Sequence, residues 1–452
     1  MEAQLATELL LSLQQRRLIV ICGAGLSIPD PSNVPGARAL AEFCYDLYGN
    51  RTGDVPPVEC RTNLEILTEY LFSRGLQVDF LASIVPWVQF RGIANGGHVA
   101  VADFLACKAL FCGVTTNFDD LIEVAARTVL SDVDFLAAFD EGDATMLRDH
   151  APLLKLHGCI TDRYRTLWCK SQLQKKGTQT ESNQEIRRRI KSGIRWLQGN
   201  LANKDLLLVG LWSDWQHINR TLRTIFKARV PRPARVVVVD ILTEPELREK
   251  APELFRWAKS THFVQVPQSG AEFLNELQLR FSRQFLQSLL ASSVADYVAE
   301  TGDAGAMNTS FDTIEAAEDL YALRRDVLGI PRNLPVRELQ PSNGAVVSGV
   351  AHLMARSKGA TMSGSEYLVK VDDTDKRVRI VTGHGRSLSA VMKDFLKEPP
   401  RGNAEDYVVC AGARENPGKP DIMRDRSVRT LTRSGLSGEW ITLEEARKRE
   451  IL

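Results

Sequence analysis

The sequence predicts an α/β fold with a doubly wound parallel β-sheet, followed by a smaller C-terminal α+β domain. Two observations predict the sheet. Continuous apolar runs bounded by turns, such as residues 18–22, are typical of strands that are buried on both faces. Helix-like segments alternate with these runs over short links, and that alternation indicates βα units and a parallel sheet.

The individual elements follow from this pattern in chain order. The predicted strands are residues 18–22, 109–116, 152–156, 206–211, 235–240 and 262–266. The predicted helices are residues 5–15, 37–48, 97–106, 119–130, 185–201, 216–227 and 244–259. We expect these elements to form one domain with helices on both faces of the sheet.

The sequence changes character after Gly270. A long amphipathic helix or pair of helices, a polar linker and a further helix are predicted at residues 271–298, 300–310 and 311–328. Short strands are predicted at residues 366–371, 377–382 and 407–410. We therefore expect a catalytic domain over residues 1–298, a linker with a helix over 299–341, and an α+β module for assembly or partner binding over 342–452.

The composition is typical of a soluble globular protein, with 44% hydrophobic and 25% charged residues. The formal net charge of +1 gives no overall attraction to nucleic acid or an anionic membrane, and the arginine-rich tail is typical of a solvated face. The eight cysteines include no Cys-x-x-Cys pair, which predicts neither a zinc site nor a disulfide scaffold. With no signal peptide or membrane-length apolar run visible, we expect a cytoplasmic protein.

A glycine-rich turn follows the first predicted strand directly. Gly23, Ala24 and Gly25 precede Ser27, and such a turn lets backbone amides approach a pyrophosphate while a helix N-terminus beyond it adds positive charge. Glycine turns are common in α/β proteins, and Ser27 could equally cap the helix that it opens. The turn therefore predicts a dinucleotide site only in combination with other motifs.

Three further polar segments follow predicted strands. They are Thr115-Thr116-Asn117-Phe118-Asp119, Lys155-Leu156-His157-Gly158 and Val209-Gly210-Leu211-Trp212-Ser213-Asp214. Ligands of open α/β sheets bind outside the carboxyl ends of the strands, so we expect one cleft to collect all four clusters. A structural role stays open for several members, because Asn and Asp are also favoured as N-caps and a histidine before a glycine can form a plain turn.

The ordered set of motifs resembles the sirtuin family. The family's G-A-G-x-S turn, T-x-N-x-D segment and histidine followed by glycine correspond to residues 23–27, 115–119 and 157–158. Two parts that sirtuin deacylases use for acyl peptides are missing. Only Cys159 and Cys169 follow the histidine where the deacylases carry four zinc-binding cysteines, and residues 34–38 lack the Phe-Arg ending of the G-I-P-D-F-R loop. The chain thus resembles the sirtuin-like NAD hydrolases of prokaryotic anti-phage defence.

The resemblance implies that NAD is bound as the substrate, without a metal. Catalytic roles are expected for Asn117, which would orient ribose hydroxyls or the attacking water, and for His157, which would accept a proton. Asp119 would hold the carboxamide or stabilise growing positive charge. The expected cofactor-binding residues are Gly23, Ala24, Gly25, Ser27, Thr116, Gly210, Ser213 and Asp240. A carboxylate at the end of a strand, such as Asp240, often contacts only solvent, so a role without a ligand stays open for it.

The sequence therefore predicts an NAD glycohydrolase that cleaves the nicotinamide–ribose bond to give nicotinamide and ADP-ribose. The resemblance implies that it is an effector of a prokaryotic antiviral, abortive-infection system that depletes NAD. A homo-oligomer and a protein partner are expected, with a HerA-type ATPase or a short Argonaute as candidates, and direct nucleic-acid or membrane binding is not evident. The alternatives are an NAD-dependent protein deacylase and a non-catalytic subunit that senses NAD or ADP-ribose.

Overall fold

The computed structural model of the chain shows two compact units. It describes residues 1–130, 137–174, 181–211, 216–226, 232–259, 261–304, 310–398, 405–415 and 438–452. Unit 1 extends to Asn275, and unit 2 begins at Glu276. The domain limits expected from the sequence, at residues 298 and 341, stay predictions.

Unit 1 contains a six-stranded, all-parallel sheet. Its strands are β1 Leu18–Cys22, β2 Leu110–Thr115, β3 Leu153–Lys155, β4 Asp205–Val209, β5 Arg235–Asp240 and β6 His262–Pro267. They lie in the order β3-β2-β1-β4-β5-β6. The chain therefore moves outward from β1 in both directions, which is the doubly wound, Rossmann-like arrangement that the sequence predicts.

Helices cover both faces of this sheet. The helices that begin in unit 1 are α1 Ala3–Gln14, α2 Ala37–Thr52, α3 Leu64–Ser73, α4 Gly96–Ala106, α5 Leu121–Ala125, α6 Glu141–Thr145, α7 Glu181–Gly199, α8 Gln216–Ile225, α9 Glu244–Lys250, α10 Pro252–Ala258 and α11 Gly270–Thr301, of which only the residues up to Asn275 belong to this unit. On one face, Ile186 and Leu197 of α7 pack against Ile19 and Ile21 of β1 in a common core. Every residue of β1 is buried, as its unbroken apolar sequence requires.

The structure corrects several of the predicted elements. Residues 244–259 form two helices instead of one, because Pro252 cannot continue the hydrogen-bonding pattern of α9 and Ala251 adopts a non-helical backbone. The α-helix predicted over 119–130 ends at Ala125 and continues as a π-helical turn, Ala126–Leu130. Helix α3 was not predicted. Residues 271–298 lie in one continuous helix, α11.

An aromatic cluster stabilises the part of unit 1 that lies beside the ends of β1 to β3. Trp168 is fully buried at its centre, and its ring contacts those of Phe80, Trp87 and Phe118 at centroid distances of 5.5, 5.8 and 4.6 Å. Phe90 packs against Trp87 and Phe118. The cluster joins three parts of the chain: a segment before β2, the loop after β2, which carries Phe118, and the segment after β3, which carries Trp168.

Unit 2 contains a mixed sheet. Its strands are β7 Thr361–Ser363, β8 Glu366–Val371, β9 Thr374–Thr382, β10 Tyr407–Ala411 and β11 Glu439–Thr442. They lie in the order β11-β10-β9-β8-β7, with β9, β10 and β11 parallel and the β7–β8–β9 meander antiparallel. Its helices beyond α11 are α12 Ala317–Val327, α13 Val346–Ser357, α14 Leu388–Phe395 and α15 Leu443–Lys448. The smaller α+β domain that the sequence predicts is therefore confirmed.

Polar burial also shapes the core of unit 2. The guanidinium of Arg379 is buried and donates to Asp326 and Glu398. A buried arginine of this kind is tolerated because its charge is paired.

Across the described residues of both units, no helix is both long enough and apolar enough to cross a membrane.

Candidate active site

The glycine turn after β1 packs directly against the end of β4. The amide of Gly25 donates to the carbonyl oxygen of Gly210 at 2.9 Å, and the amide of Gly23 donates to Val209 at the same distance. A Cβ on Gly25 would lie 2.7 Å from the Cα of Gly210, and Gly210 itself has a φ of +53°. Glycine is therefore required on both sides of this contact, because backbone atoms leave no room for a side chain.

No helix starts directly after the glycine turn, so Ser27 does not open one. Only a single 3₁₀ turn, Ala24–Leu26, forms there, because Pro29, Pro31 and Pro35 follow it and lack the amide hydrogens that a helix needs. The amides of Gly23 and Gly25 are used within the protein and are not available to a pyrophosphate. The positive end of a helix comes instead from α2.

The N-terminus of α2 borders a cavity beside the glycine turn. Ala37 and Arg38, the first residues of α2, line this cavity. Gly36, at the N-cap position before them, has no side chain that could cap the helix. A helix N-terminus and a guanidinium both favour an anion. Arg38 also pairs with Glu42 in the next turn, and its side chain is well exposed. This edge of the cavity is therefore suited to phosphate groups.

Asn117 joins the loop after β2 to the glycine turn. Its Nδ2 donates to the carbonyl oxygen of Gly23 and to the Ser27 hydroxyl, each at 3.1 Å. A backbone carbonyl can only accept, so the orientation of the side-chain amide is fixed and Oδ1 remains as an acceptor. The N-cap role that the sequence left open is not seen for Asn117, because α5 starts after Asp120 and has no side-chain cap.

Ser27 is the centre of a buried hydrogen-bond network. Its hydroxyl donates to Asp119 Oδ2 at 2.9 Å and accepts from Asn117. It also contacts His98 Nε2 at 3.1 Å. The backbone amide of Asn95 donates to His98 Nδ1, so the neutral imidazole carries its hydrogen on Nε2 and donates to Ser27. The hydroxyl thus uses one hydrogen and two lone pairs, and it caps no helix.

Burial controls the charges in this network. Burial, and secondly the charge of Lys155, lowers the pKa of His98 to about 3, so this imidazole is neutral near pH 7. Burial also raises the pKa of Asp119, while Lys155, the Ser27 hydroxyl and the Leu121 amide oppose that rise. Cys22 beneath the site has a pKa raised to about 12 by burial and by Asp119, which excludes a thiolate there at neutral pH.

His157 lies at the end of β3, where the chain turns sharply. Its Nε2 is 3.1 Å from the Thr221 hydroxyl of α8, and its ring is buried. Gly158 has a φ of +100°, and a Cβ there would lie 2.9 Å from the carbonyl oxygen of Arg165. This glycine therefore allows the following segment to fold back, and the amide of Leu167 donates to the carbonyl oxygen of His157.

One cavity of about 370 Å³ brings most of the sequence-predicted residues together. Those that line it are Ala24, Gly25, Ser27, Thr116, Asn117, Asp119, His157, Gly210 and Asp240. Gly23 contributes the carbonyl oxygen that accepts from Asn117. Ser213 lies outside the described residues. The structure thus assembles the predicted set in one place, and the chemical role of each member stays a prediction.

Sequence reasoning missed three residues at this site. His98 falls at the start of the helix predicted over residues 97–106, and the structure shows both that position and its contact with Ser27. Thr221 gave no signal, because it lies inside an amphipathic helix. Arg38 lies in the helix predicted over residues 37–48 and gave no signal of its own. Among the described residues, no group of three or more His, Cys, Asp or Glu side chains is arranged to hold a metal ion.

Comparison with known protein families gives one match. A model described as a SIR2-like domain matches residues 112–263, about a third of the chain. This segment of the chain is therefore similar to SIR2-like domains. It includes Asn117, Asp119 and His157, whereas the glycine turn lies before it. No curated protein matches the chain.

Solved Sir2 structures are similar to the chain at low identity. One, a Sir2 homologue in complex with NAD, is 15% identical over 60% of this chain and 91% of its own, with a TM-score of 0.33. Another, a structure described as the structural basis for the mechanism and regulation of Sir2 enzymes, is 15% identical over 62% of this chain and 97% of its own, also with a TM-score of 0.33.

Proposed function

We propose that unit 1 is an NAD glycohydrolase, which hydrolyses the nicotinamide–ribose bond of NAD to give nicotinamide and ADP-ribose. The observation that carries this proposal is the shared cavity of Asn117, His157 and the glycine turn at Gly25. An amide acceptor can orient water or a ribose hydroxyl, an imidazole can take a proton from water, and a close backbone turn can contact a dinucleotide. The SIR2-like match over residues 112–263 supports NAD as the substrate.

The extent of the cavity suits an extended dinucleotide. Its lining residues follow five adjacent strands, from His157 after β3 to Asp240 at the end of β5. Adjacent strands are separated by about 4.8 Å, so these strand ends span about 19 Å. In the proposed binding mode, nicotinamide and its ribose lie near Asn117 and His157. The pyrophosphate lies between the glycine turn and Arg38, and the adenosine lies near Asp240.

The side chains of this end of the cavity suit hydrolysis through an oxocarbenium-like sugar. Nicotinamide leaves as a neutral molecule with the electrons of the broken C–N bond, so no strong acid is needed. Asn117 Oδ1 accepts a hydrogen bond from a ribose hydroxyl or from the attacking water. The negative charge of Asp119 stabilises the growing positive charge on the sugar. His157 takes the proton that water loses as its oxygen bonds to the ribose carbon.

The segment after His157 supports a hydrolase over a deacylase in this proposal. In sirtuin deacylases a four-cysteine zinc module follows the histidine. Here Cys159 and Cys169 are buried thiols, and the segment between them folds around Trp168 in the aromatic cluster. Burial raises the pKa of Cys169 to about 12, so it is a thiol at neutral pH. These contacts favour transfer of the sugar to water over transfer to an acyl-lysine peptide.

Free hydrolysis of NAD drains a cell, so such an enzyme has to be restrained. The resemblance to prokaryotic defence hydrolases extends the proposal to a cytoplasmic effector of abortive infection. In this proposal, unit 2 and α11 hold a homo-oligomer or a partner such as a HerA-type ATPase or a short Argonaute.

The proposal is tested by incubating the full chain with NAD and separating the products by chromatography, with and without such a partner. Equal amounts of nicotinamide and ADP-ribose are expected. Formation of O-acetyl-ADP-ribose only when an acetylated peptide is present would instead show a deacylase. NAD that stabilises the fold but stays intact would show a sensing subunit.

A further inference from the structure

Lys155 is a fully buried cation beneath the candidate site. It is the last residue of β3, two positions before His157, and it does not line the cavity. Its Nζ donates to the backbone carbonyl oxygen of Asp119 at 2.6 Å and to Glu123 Oε1 at 2.8 Å. The side chain of Lys155 is 0% exposed and that of Glu123 is 7% exposed. A buried charge of this kind is costly unless it is paired, and a function for it should be sought.

The contacts of Lys155 connect the two loops that carry the candidate catalytic groups. β2 and β3 pair as strands only from Gly113 to Thr115, and the loops that bear Asn117 and His157 lie beyond this pairing. Lys155 links them there, because its backbone belongs to the β3 side and its ammonium group is bonded to Asp119. A shift of its side chain would therefore change the separation of Asn117 and His157.

Lys155 also acts on the pKa of Asp119 in the network above it. The groups that face the Asp119 carboxylate are the Ser27 hydroxyl, the Leu121 amide, Lys155, Asp120 and the Cys22 thiol. Of these, Lys155 is the cation that opposes the effect of burial on the pKa of Asp119. Burial disfavours the charge of Lys155, but Glu123, Cys159 and Asp119 together outweigh burial and raise the pKa of Lys155, so the lysine stays protonated.

We propose that Lys155 is a positioning residue for the hydrolysis of NAD, with Glu123 as its counter-ion. It holds the Asn117–Asp119 loop at a fixed distance from His157 and places a positive charge beneath the Asp119 carboxylate. This inference rests on the proposed function for its kinetic consequences. The competing interpretation is a purely structural ion pair, which apolar residues of similar size can replace without harm.

Two variants of the full chain separate these interpretations. Lys155→Met leaves Glu123 buried and unpaired, so its melting temperature should fall by about 10 °C. Combining Lys155→Met with Glu123→Met removes both charges and should recover most of that stability. The double variant should nevertheless hydrolyse NAD at least about tenfold more slowly at pH 7, with KM changed by less than about threefold, because Lys155 does not touch the cavity.

The pH profile gives the decisive reading. Without the lysine charge, the pKa of Asp119 is higher, so the acid side of the profile of kcat should move to higher pH in the double variant. A double variant with recovered stability, an unchanged kcat and an unchanged profile would overturn the proposal. If the wild-type protein binds NAD without cleaving it, the proposed function fails, but a second measurement still tests the inference. The ¹³C-labelled Asp119 carboxyl, assigned with Asp119→Asn, is then titrated, and the pH midpoint of its titration should be higher in the double variant than in the wild type. An unchanged midpoint would refute the inference.

Discussion

The side-chain nitrogen of Asn117 lies 3.1 Å from the carbonyl oxygen of Gly23. This hydrogen bond makes the loop after β2 and the glycine turn after β1 one structural unit. It also commits the amide hydrogens of Asn117 to the protein, so that an oxygen acceptor remains for a ligand. A change at the turn is therefore expected to alter the candidate catalytic amide.

Asn117→Ala and His157→Ala should each abolish nicotinamide release while leaving the fold intact. Asn117→Ala removes the acceptor for ribose or water, and His157→Ala removes the group that takes the proton. A loss of at least about 100-fold in kcat is expected for each, as for other general acid–base groups. Product chromatography measures this loss.

Asn50→Ala and His262→Ala are matched controls for these variants, because both residues are exposed. Full turnover in both Asn117→Ala and His157→Ala would contradict the assignment of the site.

Gly25→Ala should destabilise unit 1 and weaken NAD binding. The added methyl group would meet the Cα of Gly210 at 2.7 Å, and neither backbone segment can move without breaking the Gly25–Gly210 hydrogen bond. A cost of about 1–3 kcal/mol in the free energy of unfolding is expected for such overpacking. Denaturant unfolding and calorimetric NAD titration measure the two effects. Gly199→Ala is the control, since nothing lies within 4 Å of its added carbon, and equal effects of both changes would contradict the prediction.

NAD should be preferred to NADP because of Asp240. In the proposed binding mode its carboxylate lies near the adenosine ribose, where the additional phosphate of NADP would bring two negative charges together. The wild-type chain should bind NADP at least about tenfold more weakly than NAD, and Asp240→Asn should reduce this ratio. Calorimetric titration of both dinucleotides provides the measurement. Equal affinities in the wild type would place the adenosine elsewhere.

Acid should destabilise the fold through its buried histidines. Burial lowers the pKa of His98 and of His352 from 6.5 to about 3, assisted by Lys155 and Arg356 respectively. Between pH 6.5 and 3 the unfolded chain therefore binds protons that the folded chain does not. As the pH falls through this window, the free energy of unfolding should fall by up to about 1.4 kcal/mol per pH unit for each histidine. Above pH 6.5 the stabilisation by each neutral histidine is fully present.

His98→Gln tests this window. Glutamine can still donate to Ser27 but does not titrate, so the slope of unfolding free energy against pH should become shallower between pH 6.5 and 3. Denaturant titrations at several pH values measure the slope. An identical slope in wild type and variant would show that His98 is protonated in the folded state.

The sequence was most informative where one local property decides the structure. β1 is apolar throughout and β5 is apolar between Arg235 and Asp240, and their predicted limits match those observed. The grouping of motifs in one cavity was predictable because parallel strands end at one edge of the sheet.

Long-range contacts could not be predicted in this way. The bond between His98 and Ser27 joins residues 71 positions apart, and the contact of Lys155 with Asp119 depends on how the loops close beyond the strands. The break at Pro252 was visible in the sequence as a proline, because proline lacks the amide hydrogen that a continuous helix needs.

The packing of Trp168 also gives the molecule an internal optical reporter. Phe118 directly follows Asn117, and its ring is tilted against that of Trp168 with centroids 4.6 Å apart. Any ligand that displaces the Asn117 loop must therefore disturb coupled aromatic chromophores in a rigid, asymmetric setting. Near-ultraviolet circular dichroism of the unlabelled protein should register occupancy of the cavity even when no bond is broken.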